Sequence, residues 1–357
     1  MNSGTEFSSL TSSRRTFLRQ LAAGSTGLAL GSLYRPGKAL AAPQKSTVSV
    51  VTSTDQREAA LKALQPLERE IKRGIKDKQV VIKINSGQVD KKWWLNATDP
   101  KFVQGILDFL EPMYDRQVIV AESTAAGAQS TMVGFENYGF MYLKKQYNMK
   151  FADLNDGTAT TKWILGQNRH PIPIDIIDTY LDPNVYLISA TRLKTHNCVI
   201  ATLSFKNIVM GSPINRYNQK QRGGRNQKSL MHSGGNRGLS YNMFRLATLG
   251  IQPDLAVLDG VVGMEGKGPV WGTPVEQGIA LASTDWLAAD RIGVELMGMD
   301  YDEVKHLQWC AAAGMGNDDL DSIDIKGPDY RKHIITYKLH ENIEEQREWI
   351  KEDYSKK

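Results

Sequence analysis

Short apolar runs of strand length recur along this chain, and helical or turn-forming stretches lie between them. Val48 to Val51, Gln79 to Ile84, Gln117 to Val120, Lys150 to Leu154, Val185 to Ala190, Leu255 to Leu258 and Ile279 to Ala282 are such runs. Asp55 to Lys76 carries Ala60, Leu61, Leu64, Leu67, Ile71 and Ile75 at near-helical spacing. Thr98-Asp99-Pro100 is a helix start leading into Phe102 to Met113, and Ser283-Thr284-Asp285 caps another helix running to about Met297. This alternation restricts the chain to the α/β class, with a mixed, largely parallel sheet flanked by helices. Its length suits one large domain over residues 42–340, or two closely packed lobes, followed by a charged, helical and peripheral tail over 341–357.

The first 41 residues stand apart. Ser13-Arg14-Arg15-Thr16-Phe17-Leu18-Arg19 is a twin-arginine export pattern, Leu21 to Leu33 is apolar, and Ala39-Leu40-Ala41 is a small-residue cleavage site. Gly24, Gly27 and Gly31 break the apolar stretch, which is shorter than the roughly 20 residues that span a bilayer. The expectation is export by the twin-arginine translocase to the periplasm or beyond, with cleavage near Ala41 and Ala42; an uncleaved segment would act as a tether. Losing this leader lowers the formal charge from +5 to about +1, so the whole-chain basicity does not argue for a polyanionic partner. Cys198 and Cys310 are the only cysteines; in an oxidising compartment they could pair, but their strand and helix positions read rather as two buried free thiols. Without a CxxC, no iron–sulfur cluster is expected.

Candidate chemistry gathers in Val185 to Gly211. A turn at Asp182-Pro183-Asn184 precedes the apolar run, and Arg192, Lys194 and His196 follow it directly. Cys198 to Phe205 then reads as a second strand, ending in Lys206-Asn207 before Gly211 opens a long loop. In α/β proteins, ligand groups collect where strands end, so these polar clusters mark a site. Lys83 and Asn85 share a face at the end of another strand, and Glu122-Ser123-Thr124 ends a third, ahead of a small-residue turn.

Charge distribution singles out the same region. From Pro183 to Pro253 there is no Asp or Glu, while ten Lys and Arg residues occur, an asymmetry expected where an anion binds. Gly211 to Gly238 is expected to be a basic lid, a binding loop or a disordered excursion, with His232 near its end. Only Tyr217 in that loop could stack a base, which argues against nucleic acid. Asp259 ends a strand, and the glycines around Glu265, including Gly266 and Gly268, could present backbone amides to an anion. Asp285 reads equally well as a cap or a functional acid, and Asp290 reaches the site only if its helix faces it.

From residue types, Lys194 and Lys206 with Asn207 would fix a carboxylate or phosphate, and His196 would serve as acid or base with Asp259 as partner. Lys83, Asn85, Glu122, Ser123, His232, Gly266 and Gly268 would complete the ligand site. His196, His232 and Glu265 are candidates for a divalent metal, although no HxH or HxxxH spacing supports one. Taken alone, His196 also reads as a structural histidine bonded to backbone.

LKTH at Leu193 to His196, TLSFKNIVMG at Thr202 to Gly211, DGVVGMEGKGP at Asp259 to Pro269 and ASTDWLAAD at Ala282 to Asp290 together resemble the family called domain of unknown function 362, from about Val80 to Gly327. Some members carry a ferredoxin-like cluster segment, which this two-cysteine chain lacks. A fainter similarity to nickel-pincer racemases would align His196, Lys206 and Gly211 with cofactor positions. The resulting expectation is an exported enzyme for a small anionic substrate, using acid/base or metal-assisted chemistry. The alternative is a non-catalytic protein that binds an anion or a partner.

Overall fold

The structure is a computed structural model that describes residues 45–126, 129–217 and 224–351. The export leader, Lys220 and Arg222 lie outside the described residues.

Alternating burial explains how the strands assemble. Val80 and Ile82 enter one apolar core while Val81, between them, enters another, because successive side chains of a strand point to opposite faces. A central strand buried on both faces therefore reads as a continuous apolar run, as β2 (Gln79–Lys83) and β7 (Val185–His196) do. With β1 (Ser46–Thr52), β3 (Val118–Glu122), β4 (Met149–Asp153), β9 (Leu255–Glu265), β10 (Thr273–Ser283) and β11 (Ile323–Lys326), they form a sheet ordered β11-β1-β10-β9-β7-β2-β3-β4. The block β9-β7-β2-β3-β4 is parallel throughout, whereas β10 runs antiparallel to both β9 and β1. This is the mixed, largely parallel α/β sheet expected from the sequence.

One core holds the helices α1 (Gln56–Leu64), α2 (Glu68–Ile75), α3 (Pro100–Leu110) and α4 (Thr131–Asn137). The other holds α5 (Ser204–Gly211), α6 (Gly235–Ala247), α7 (Trp286–Leu296) and α8 (Lys305–Ala312). From β2 the chain winds outward to β3 and β4, then returns to lay β7 on the opposite side of β2. That reversal leaves a crevice beyond the carboxyl ends of the strands, the usual ligand position in open α/β sheets.

Several local expectations change. The helix read over Asp55 to Lys76 is broken at Gln65–Leu67, where Pro66 cannot donate to the helical ladder. The strand expected over Cys198 to Phe205 is only β8 (Ile200–Thr202), a hairpin partner of β7, and Lys206 and Asn207 belong to α5. The expected long loop is partly helical, with a 3-10 turn over Gln227–His232 and α6 beginning at Gly235. The hairpin of β5 (Ala159–Leu165) and β6 (Pro171–Ile177) had no sequence expectation. The tail helix α9 (Ile343–Lys351) is anchored rather than peripheral: the buried Gln346 side chain accepts the Ile200 N–H at 2.9 Å and donates to the His196 carbonyl at 3.0 Å.

Candidate functional site

Lys83 is the last residue of β2 and Glu122 the last of β3, so adjacent parallel strands deliver an ammonium and a carboxylate to the same crevice. Their Nζ and Oε1 atoms lie 2.6 Å apart, and both side chains are almost fully buried. Glu122 is held further by the Ser123 N–H at 2.7 Å and the Ser86 N–H at 2.5 Å. Burial pushes the Lys83 ammonium down from its ordinary range, and Glu122 opposes that push.

Asn207 joins these groups to the rest of the site from the first turn of α5. Its Oδ1 accepts from Lys83 Nζ and Asn85 Nδ2, each at 2.9 Å, while its Nδ2 donates to the Lys83 carbonyl at 3.1 Å and Ser189 Oγ at 3.0 Å. Asn85 Oδ1 in turn accepts from Lys194 Nζ at 2.5 Å. Glu122, Lys83, Asn207, Asn85 and Lys194 thus form one continuous buried polar network. Such a network holds its members rigidly when every group is satisfied.

Asp290 fixes the helix that carries Asn207 and Lys206. Its carboxylate accepts the Ser204 N–H at 2.9 Å, Ser204 Oγ at 2.6 Å and the Phe205 N–H at 2.9 Å, capping α5 from α7. Burial raises this carboxyl to about 7 against those hydrogen bonds. Asp285 is a cap as well, accepting the Leu287 and Ala288 N–H groups of its own helix.

The network lines a cavity of about 350 Å³, whose charged lining residues are Lys83, Lys194, Lys206, Lys228 and Glu122, with His232 at the mouth. Lys228 was not singled out as a site residue from sequence, although it lies in the segment free of acidic residues. It is buried, with Nζ 2.6 Å from the Gly211 carbonyl, 2.7 Å from that of Pro213 and 3.3 Å from Ser123 Oγ. Burial brings Lys228 down to about 7, and Glu122 opposes the shift. Lys194 falls well below the usual lysine range through burial, with Lys206 and Arg192 adding repulsion.

Lys206 differs from the other three lysines. It is 8% exposed, and among the described residues its ammonium has no hydrogen-bond or ion-pair partner. Burial lowers it to about 8; Cys198 opposes the shift and Lys83 adds to it. A cation in this position stabilises an anion and, near neutral pH, also releases or takes up a proton.

Other expected residues fall elsewhere. His196 is buried and does not line the cavity; its Nδ1 accepts the Cys198 N–H at 3.0 Å, the structural alternative that its sequence left open. Burial and then Lys206 hold its imidazole well below the usual histidine range. Lys206 also depresses His232 after burial, and likewise depresses the buried His306. Asp259 is fully buried away from the cavity, 3.8 Å from Arg192 Nη1, and burial raises it to about 6. Glu265 binds the Lys338 N–H at 2.7 Å. Among the described residues no three His, Cys, Asp or Glu side chains converge, so His196, His232 and Glu265 are not brought together.

The glycine turn is a packing device rather than an anion nest. The Gly266 N–H donates to the Lys338 carbonyl and the Gly268 N–H to the Gly266 carbonyl, so both amides are engaged. A Cβ on Gly268 would lie 2.1 Å from the Thr195 carbonyl oxygen, and the bare backbone lets this turn lie against β7. That contact carries Pro269 and Val270 to the cavity wall. A larger, more open hollow of about 530 Å³ lies at the amino ends of β2 and β7, lined by Gln79, Val81, Asp178 and Asp182 among others, without converging cations.

A family model described as Domain of unknown function (DUF362) matches residues 80–295, more than half of the chain and all of the cavity's charged residues. The chain belongs to the DUF362 family. In this DUF362 chain the four motifs have distinct structural parts: they supply Lys194, the α5 helix, the glycine turn and the two capping aspartates. A stretch of 114 residues is 29% identical to a thylakoid-associated protein of Synechocystis, covering 32% of this chain and 33% of that protein. The chain thus matches about a third of the length of that curated relative. Among solved structures, a protein from Thermotoga maritima is 13% identical with a TM-score of 0.37, over 60% of this chain and 53% of its own. The lactate racemase apoprotein from Thermoanaerobacterium thermosaccharolyticum is 11% identical with a TM-score of 0.36, over 68% and 55% respectively. Among the described residues no helix is long and apolar enough to cross a membrane.

Proposed function

We propose that this protein is an enzyme for a small carboxylate or phosphate, bound at the sheet's switch point and transformed by acid/base chemistry. The observation that carries the reading is the cavity's charge: Lys83, Lys194, Lys206 and Lys228 face a single carboxylate, Glu122, and the Lys206 ammonium is without a partner among the described residues. Three of these lysines are fixed by protein oxygens, so their donors are in position before any ligand arrives, and an anion would favour their charged forms. An anion at Lys206 offsets the repulsion among them. In the free protein an ammonium lowered to about 8 sheds its proton close to neutral pH, the state a proton-transfer group needs before it takes a proton from its substrate. Lys228, brought down to about 7, is a second titrating group lining the same cavity. As part of the same proposal the protein works after twin-arginine export, a reading that rests on the leader pattern alone.

The test separates charge from titration. A thermal-shift screen of small carboxylates and phosphates identifies a ligand, and solvent-deuterium exchange into it, followed by NMR, reports proton transfer. Lys206→Arg should keep binding and abolish exchange, while Lys206→Met should abolish both. If Lys206→Arg binds and exchanges as the wild type does, Lys206 is not the proton-transfer group. Ligand binding without any turnover would favour the non-catalytic alternative. If no carboxylate or phosphate stabilises the wild type more than Lys206→Met, the anion site is wrong.

A further inference from the structure

Two loops that meet at the cavity carry three tryptophans. Trp93 and Trp94 lie in the 3-10 turn Lys91–Asn96, and Trp271 directly follows Pro269 and Val270 of the cavity wall. Trp93 and Trp271 meet edge to face with ring centroids 6.1 Å apart. Yet Trp271 is 56% exposed and Trp94 49%, an unusual state for side chains whose large apolar surface favours burial. Lys194 ties both loops to the cavity: its Nζ donates to the Asn96 carbonyl at 2.8 Å and reaches that of Pro269 at 3.5 Å. Arg192, two residues earlier on β7, places its guanidinium 5.7 Å from the centre of the Trp94 ring. The cavity wall and the exposed indoles are therefore positioned by the same strand.

We infer that these indoles form an aromatic subsite, and that the ligand is an aryl-bearing carboxylate or phosphate with its anion at Lys206 and its flat ring on Trp271. The inference rests on the anion-binding reading of the cavity. Continuity supports it, since the wall passes from Lys194 through Asn96, Pro269 and Val270 to the tryptophans. Electrostatics gives the ligand its direction. An indole face carries a negative quadrupole that disfavours an anion and accepts a ring in offset or edge contact, while the lysines do the reverse. A ligand with both parts is thereby held in one orientation.

Calorimetric titration with inorganic phosphate, phenyl phosphate and naphthyl phosphate tests this. Naphthyl phosphate should bind the wild type about tenfold more tightly than inorganic phosphate, with phenyl phosphate between them. Trp271→Ala should remove most of the aryl advantage and leave inorganic phosphate binding unchanged; Trp271→Phe should retain part of it. Equal affinities for the three ligands, or an advantage that survives both Trp271→Ala and Trp94→Ala, would overturn the subsite. Tryptophan-dependent binding to mixed phosphatidylglycerol and phosphatidylcholine vesicles, unaffected by saturating phosphate and without an aryl advantage, would assign the indoles to a lipid surface and overturn it too. Phosphate binding that depends on Lys206 without an aryl advantage sinks the subsite alone. If inorganic phosphate binds Lys206→Met as well as the wild type, the anion reading fails and the subsite with it.

Discussion

Sulfate affinity should fall as pH rises, and the Lys206 environment fixes by how much. Sulfate keeps its charge across the neutral and alkaline range, so any change belongs to the protein. Burial holds the free Lys206 ammonium at about 8, and a sulfate in contact would return it toward its ordinary 10.5. Sulfate then binds the protonated form, which is nearly complete at pH 7 and about a tenth of the population at pH 9. Through Lys206 alone, affinity should be flat below pH 7 and drop about tenfold from pH 7 to 9, or about 1.4 kcal/mol. Lys228, at about 7, steepens the fall if it also feels the anion. Titration calorimetry in buffers of different ionisation heat reads this directly: proton uptake per sulfate should grow from near zero at pH 7 toward about one at pH 9. The linkage has a mirror in stability. A lysine lowered on folding contributes stability that is present above its unfolded value of 10.5 and is lost as pH falls toward about 8, so the free protein should lose up to about 3 kcal/mol over that window. Sulfate should offset part of the loss. An affinity constant from pH 7 to 9, or an equal decline in Lys206→Arg, would refute the reasoning.

Three further outcomes are expected. Asp290→Asn replaces one accepting oxygen of the α5 cap with a donor that faces another donor, costing about 1–3 kcal/mol and weakening sulfate binding, checked by denaturant melts and calorimetry. Since the Asp290 carboxyl is raised from 3.8 to about 7, its contribution to wild-type stability is greatest in acid and fades as pH rises through that window; Asn should lack this slope, and a parallel pH profile would disprove the assignment. Gly268→Ala drives a methyl into the Thr195 carbonyl, so the turn must lift, lowering stability by about 1–3 kcal/mol; a wild-type melting temperature would contradict the close packing. For the leader, replacing Arg14 and Arg15 with Lys should retain the protein in the cytoplasm, and intact-mass measurement of the exported form should show a start after Ala41 or Ala42.

What the sequence discloses and what it hides follow from range. Strand and helix alternation is a local signal, so the fold class and most of the parallel strands could be read directly. Lys83, Glu122, Lys194, Lys206 and Asn207 were legible because each stands where an apolar run ends or just beyond. Their pairing was not: the Lys83 to Asn207 hydrogen bond joins positions 124 residues apart, a distance that no periodicity encodes. His196 misleads for a related reason. Its position after a strand is that of a ligand group, but the β7–β8 hairpin turns it onto the Cys198 amide instead. Asp259 and the glycines mislead because a carboxylate or a glycine needed for packing looks, in one dimension, like one needed for a ligand. Lys228 is hidden in the sequence because a basic residue among many others offers no contrast.

The first described strand must wait. Among the described residues every sheet partner of β1 comes late, β10 from Thr273 onward and β11 from Ile323 onward, and no neighbour in between closes its edge. While the chain is being made, Val48 and Val50 can reach their final core only after nearly all of it has emerged. The parallel block β2-β3-β4-β7 meets no such delay, since its strands arrive in close succession. Assembly should therefore start at the switch point and finish at the β1 edge, with the long loop closure delaying the final step. Until then the chain carries an apolar strand with open hydrogen-bonding groups, the part of the molecule most open to mispairing.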